Sequence, residues 1–216
     1  MPLSTSVVTP ARFAQGLSYA EFLAQSPINH DKFEHYYQHP VLTEADIAFF
    51  RKASALPHGP RKLLVIAEAW CGDVYREVPT AVRIAEAAGL ELRIFLRDQN
   101  PDIMDEFLSN EGKSRAIPIF AFYTGDMQYI THFTERSATA HVELSAAIAD
   151  AKTQLGLPQS AGFDTLSGPQ RQALLSILVP RLQPLTDNWR REAVMEIRRS
   201  LSTALHCSNT GDADRA

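Results

Sequence analysis

The chain has 216 residues, 45% of them hydrophobic and 21% charged, which excludes collagen-like, low-complexity and wholly disordered classes. Twenty-five acidic against twenty-one basic side chains give a net charge of −4 and argue against nucleic acid as a partner. Two cysteines, Cys71 and Cys207, are too few for the disulfide framework of a small secreted domain. The first twenty residues lack a basic start followed by an apolar run, and no stretch nears about 18 uninterrupted apolar residues. The expectation is a cytoplasmic protein without a membrane segment, its thiols resting reduced.

Residues 1–60 read as short helices broken by proline. Ser18 and Glu21 have capping-box spacing ahead of Phe22 and Leu23, and Thr43 can cap a helix carrying Ile47, Phe49 and Phe50. His58-Gly59-Pro60 closes this zone, which is too fragmented to hold a core alone. Leu63 to Ala67 then forms a short apolar run of strand length. A helix follows from Gly72 to Ala88, with Val74, Val78, Val82 and Ala85 recurring every three or four residues and Gly89 as its stop.

Leu90 to Leu96 alternates as a second strand. Asn100 and Pro101 open a short helix burying Met104, Phe107 and Leu108. Ile117 to Tyr123 is a third strand, turned at Thr124-Gly125-Asp126 into a fourth over Met127 to Phe133. A helix from Thr139 to Leu155, apolar at Val142, Leu144, Ile148 and Leu155, completes a βαβα–ββα unit over 61–156. In the last zone, 157–207, Ser167 and Pro169 open a helix that Pro180 should stop. Another runs from Asp187 to Leu205 with Trp189, Ala193, Val194, Ile197, Leu201 and Leu205 on one stripe. Arg190, Arg191, Arg198 and Arg199 lie off the stripe and are expected in solvent. That face suits packing within the chain, with a homodimer through the helical extensions as the alternative. Residues 208–216 read as a disordered tail.

The string Ala67-Glu68-Ala69-Trp70-Cys71-Gly72-Asp73-Val74 places a cysteine between a buried strand and a helix. At a helix N-terminus the unpaired amides and the dipole favour negative charge, and the thiolate is the nucleophilic form. The alternative is an inert, buried cysteine.

This turn and the βαβα–ββα order resemble the thioredoxin superfamily. Pro79 matches the proline that kinks the family's active-site helix, and Ile117-Pro118 matches its cis-proline. The strings AEAWCGD, LRDQNPDIMDEFL and GKSRAIPIF resemble a bacterial branch of thioredoxin family proteins, and the likeness spans Leu63 to Leu155. It implies an α/β fold, a central mixed sheet flanked by helices, here with N- and C-terminal helical extensions. It also implies Cys71 as nucleophile, flanked by Trp70 and Gly72.

Two departures bear on mechanism. The family's second cysteine is replaced by Val74, which cannot resolve a mixed disulfide. The family's buried aspartate, six residues before the nucleophile, is replaced by Val65. Both suit a monothiol site with an external resolver such as glutathione or bacillithiol, acting on a disulfide- or thiol-modified protein or small thiol. They equally suit a binding or scaffold module without turnover. A glutathione transferase would begin with the thioredoxin unit and end in a far larger helical domain.

Glu68 and Asp73 are the carboxylates nearest Cys71. Either could shuttle a proton, although Asp73 would also oppose the thiolate and can simply serve the helix start. Ile117, turned towards the nucleophile by Pro118, could hold an extended ligand through its backbone. Arg115 and Lys113 could bind a carboxylate of that ligand or stand free in water. Arg97 and Asp98 suit a structural ion pair. His30, His35 and His39 do not make a ligand set, and no metal site is expected. Cys207 is a remote candidate for an internal resolver, subject to the roughly 7 Å Cα limit of a disulfide.

Overall fold

The computed structural model describes residues 6–211, and the side chains among these as far as 206. Four helices come first: α1 (Pro10–Phe13), α2 (Tyr19–Gln25), α3 (His30–Gln38) and α4 (Glu44–Ala55). Ser18 with Glu21 and Thr43 with Asp46 form complete capping boxes, so each pair satisfies donors that the helix start leaves free. These helices converge on one point: Phe13, Phe22, Phe33 and Phe50 are all buried in the main core. The zone reaches the sheet as well, because Leu17 exchanges backbone hydrogen bonds of 2.7 and 2.8 Å with Ile94.

The sheet is built from β1 (Lys62–Ala67), β2 (Glu91–Leu96), β3 (Ile119–Tyr123) and β4 (Tyr129–Thr134), in the order β2-β1-β3-β4. β1 runs parallel to β2 and antiparallel to β3, with Val65 opposite Ile94 on one side and Phe120 on the other. A strand bonded on both edges and covered on both faces must be apolar throughout. Leu63 to Ala67 are fully buried accordingly. α5 (Gly72–Ala88) links the parallel pair and ends at Gly89, whose φ of 67° is the left-handed cap that glycine adopts without cost. A short helix, α6 (Pro101–Met104), leads from β2 towards β3, and the Ile117-Pro118 bond just before β3 is cis.

The C-terminal part comprises α7 (Ala138–Gln154), α8 (Gly168–Leu182) and α9 (Thr186–Gly211). α7 buries alanines, Ala140, Ala147 and Ala151, and not the larger residues that its pattern suggests; Val142 is 71% exposed. The small side chains allow close packing on α8, where Leu174 and Leu178 form a second, smaller core with Ala147, Ala151 and Leu166. Pro180 does not stop α8. It lies in the last turn, where its missing N–H costs only one hydrogen bond, and a 3-10 turn carries the chain on into α9. Residues 208–211, expected in a disordered tail, belong by backbone to α9, and 212–216 lie outside the described residues.

The stripe of α9 is buried within the chain, from Trp189 through Ala193, Val194, Ile197 and Leu201. One arginine departs from expectation. Arg190 is fully buried and donates to Thr80 Oγ1 at 3.2 Å, Tyr36 O at 2.9 Å, His39 O at 3.0 Å and Asp187 Oδ1 at 3.1 Å. The helix ends at α3 and the middle of α5 present more acceptors there than the backbone can satisfy, so a five-donor side chain is drawn inside. Truncation would orphan several buried acceptors together. Arg190→Ala is expected to cost roughly 3–5 kcal/mol in urea unfolding. Arg191→Ala, at the exposed neighbouring position, should stay within about 0.5 kcal/mol.

Candidate active site

The site lies where β1 ends and α5 begins. Cys71 is the N-cap of α5, with extended φ and ψ of −80° and 130°, and its N–H donates to Glu68 O at 3.0 Å. The turn is tied to the N-terminal helices, because Asn29 Nδ2 donates to Ala69 O at 2.9 Å. Trp70 stands 53% exposed beside the thiol, and the Arg97 guanidinium lies 4.9 Å from its ring centre. A Cβ on Gly72 would meet Arg76 Nη1 and Tyr75 Oη at 3.6 Å, an ordinary contact, so the backbone does not demand glycine there.

Across the turn, Cys71 Sγ donates to Ile117 O, the carbonyl preceding cis-Pro118, at 3.7 Å. A thiol that donates to a carbonyl is favoured in its neutral form. Burial and then the charge of Asp73 push the Cys71 thiol up from its ordinary pKa. The amides of Val74 and Asp73, with Arg76, pull the other way but do not prevail. The amides of the helix start favour the thiolate as expected, and Asp73 opposes it as expected; burial, which the sequence does not reveal, tips the balance towards the thiol.

Asp73 is itself buried, 5% exposed, and pairs with both Arg76 and Arg136. Arg136 comes from the turn between β4 and α7 and bonds Glu135 as well. Asp73 therefore fastens the start of α5 to a distant turn and carries no free oxygen towards the thiol. Glu68 accepts from Asp98 N at 2.9 Å, capping the 3-10 turn that follows β2. Arg97 and Asp98 form the expected ion pair. Arg115 is engaged by Asp105 through two nitrogens, at 2.7 and 3.0 Å, which leaves less of its charge for a ligand. Val74 and Val65 are fully buried in the core.

The other candidates lie apart. His30 and His39 bond the carbonyls of Ser26 and His35. No group of three His, Cys, Asp or Glu side chains among the described residues is placed to hold a metal. The side chain of Cys207 lies outside the described residues.

Sequence reasoning missed Glu77. It is 1% exposed on the second turn of α5, and neither carboxylate oxygen has a hydrogen-bond partner among the described residues. Burial pushes its pKa up to about 7, against the opposing pull of Arg76. The available signal was a lone carboxylate directly before Val78, on the edge of the helix's apolar stripe.

The parallel strand–helix–strand unit, the β3–β4 hairpin and a helix-capping cysteine facing a cis-proline define a protein of the thioredoxin-like fold. A family model described as Thioredoxin matches residues 16–151, and the chain belongs to that family. The matched span opens at Gly16 and so includes α2 to α6 and most of α7. Among solved structures, the chain is similar to a Pseudomonas aeruginosa protein of unknown function, PA1234, with a TM-score of 0.52 and 17% identity. That alignment covers 82% of this chain and 99% of the other. An HIV epitope-scaffold is similar at a TM-score of 0.55 and 16% identity, over 91% of this chain and 99% of its own. No curated protein matches. No helix among the described residues is long and apolar enough to cross a membrane.

Because Glu77 holds its proton more tightly when folded, its contribution is fully present below its unfolded pKa near 4.5 and is lost as pH rises through about 7. The loss amounts to about 3 kcal/mol. Glu77→Gln should therefore match the wild type in urea unfolding at pH 4.5 and exceed it increasingly from pH 6 to 8.

Proposed function

We propose that the chain is a monothiol thiol–disulfide oxidoreductase with Cys71 as nucleophile, of the bacterial branch that its AEAWCGD string resembles. The observation that carries this reading is the position of Cys71 Sγ at the head of α5, 3.7 Å from Ile117 O and beside the exposed Trp70. An extended substrate can lie over that face, held by the backbone at Ile117, with Trp70 as an apolar platform.

The substrate is a mixed or protein disulfide, R–S–S–R′. Cys71 first releases its proton to solvent. Its thiolate attacks one sulfur, the Cys71–S–S–R bond forms, and R′S⁻ leaves. Val74 offers no second thiol, so an external thiolate attacks this bond and restores Cys71. Glutathione or bacillithiol would supply it in a reducing cytoplasm. Each step exchanges one disulfide for another, and the external thiol is the net reductant.

The raised thiol supports a second reading, a thioredoxin-fold binding module in which the Trp70-Cys71 turn docks a partner without turnover. Turnover separates the two. With a glutathionylated peptide and reduced glutathione, the rate should climb with pH from 6 to 9, following the thiolate fraction. Cys71→Ser should abolish it, and Cys207→Ser should leave it intact. A folded wild-type protein with no turnover at pH 9 would favour the binding module.

A further inference from the structure

A carboxyl group without a hydrogen bond in a packed interior costs stability that an apolar side chain of similar volume would not. Glu77 is such a group, and its surroundings suggest what it does. From its own helix it faces Asp73 and Arg76; from the β4–α7 turn, Arg136 with Glu135; from α9, Arg190 with Asp187. Tyr36 of α3 lies against Arg190, with the guanidinium 4.8 Å from its ring centre. Arg76 Nε and Arg136 Nε are buried and, like Glu77, have no hydrogen-bond partner among the described residues.

Two of these cations also serve the thiol. Arg76 and Arg136 meet at Asp73, two residues beyond Cys71. Arg76 favours the Cys71 thiolate, and a charge on Cys71 in turn favours the protonated form of Arg136. A thiolate at the head of α5 and a carboxylate on its second turn thus draw on the same pair of guanidiniums. Six residues of helix separate them by about 9 Å, so the coupling passes through charge and not through contact.

We propose that Glu77 is a positioning residue for Cys71, acting through the field of Arg76 and Arg136: its ionised form offsets their charge and holds Cys71 as a thiol, and its protonated form leaves their charge to favour the thiolate. The proposal rests on Cys71 being the reactive group. No bond is made or broken in it, and Glu77 exchanges only a proton with solvent.

Alkylation of Cys71 by iodoacetamide from pH 5.5 to 9 reads this coupling without needing turnover. Glu77→Gln should react roughly three- to tenfold faster than the wild type at pH 8, with the ratio falling to about one at pH 5.5, where both carry a neutral group. A ratio of one throughout, or one that does not vary with pH, would overturn the proposal. The reciprocal measurement uses the wild-type chain, so it stands even if the variant fails to fold. The Glu77 carboxyl is followed by carbon NMR after Cys71 is capped with iodoacetate, which leaves a negative charge, or iodoacetamide, which leaves none. The charged cap should move the Glu77 midpoint upward and the neutral cap should not, since linkage acts equally in both directions. Equal midpoints would overturn the proposal. Coupling without turnover would instead count only against the oxidoreductase reading, and turnover without coupling only against Glu77.

Discussion

The burial of Asp73 between Arg76 and Arg136 is the interaction on which the site depends. α5 must begin where β1 leaves the core, and Cys71 occupies the junction as its cap. A helix start without a directional anchor would be freer to turn and carry the thiol away from Ile117. A carboxylate shared by two guanidiniums, one from the helix and one from a turn 63 residues away, removes that freedom. Taking these charges out of water is costly, and only multiple pairing makes it tolerable. The same carboxylate adds to the effect of burial, because it lies close enough to the thiol to oppose its ionisation.

Behind the site the structure rests on ordinary burial. β1 is saturated with hydrogen bonds on both edges and covered on both faces, so its end is a rigid point from which the turn departs. The terminal regions are part of this arrangement and not appendages to it. The N-terminal phenylalanines fill the main core, Leu17 pairs with β2, and Asn29 holds the turn before Cys71 from outside. α9 lies along β4 and sends Arg190 through to α3 and α5. Both extensions make polar bonds to α5 or to the turn that leads into it.

Much of the fold was readable along the chain. The apolar run at Leu63, the stripe of Val74, Val78 and Val82, and the Gly89 stop are local patterns whose physics needs no partner. The capping boxes at Ser18 and Thr43 are equally local. Errors arose where a neighbour decides. Pro180 looks like a break in the sequence, but α8 tolerates it near its end because only one backbone bond is lost. α7 was expected to bury its large residues; contact with α8 selected its alanines instead. The burial of Arg190 is invisible in the sequence, because nothing near it along the chain announces the carbonyls of Tyr36 and His39 that it satisfies.

At the site the division is the same. The sequence by itself determined that a lone cysteine starts a helix at the end of a buried strand, that Val74 cannot resolve a disulfide, and that Ile117-Pro118 belongs opposite. The first two follow from residue identity and short-range spacing, and the third from the resemblance to the thioredoxin superfamily. Whether that cysteine rests as thiol or thiolate was decided only by the tertiary structure. The balance among burial, Asp73, Arg76 and the helix amides depends on distances and on solvent exclusion, and the chain acquires both only when Arg136 and Arg190 close over the buried face of α5.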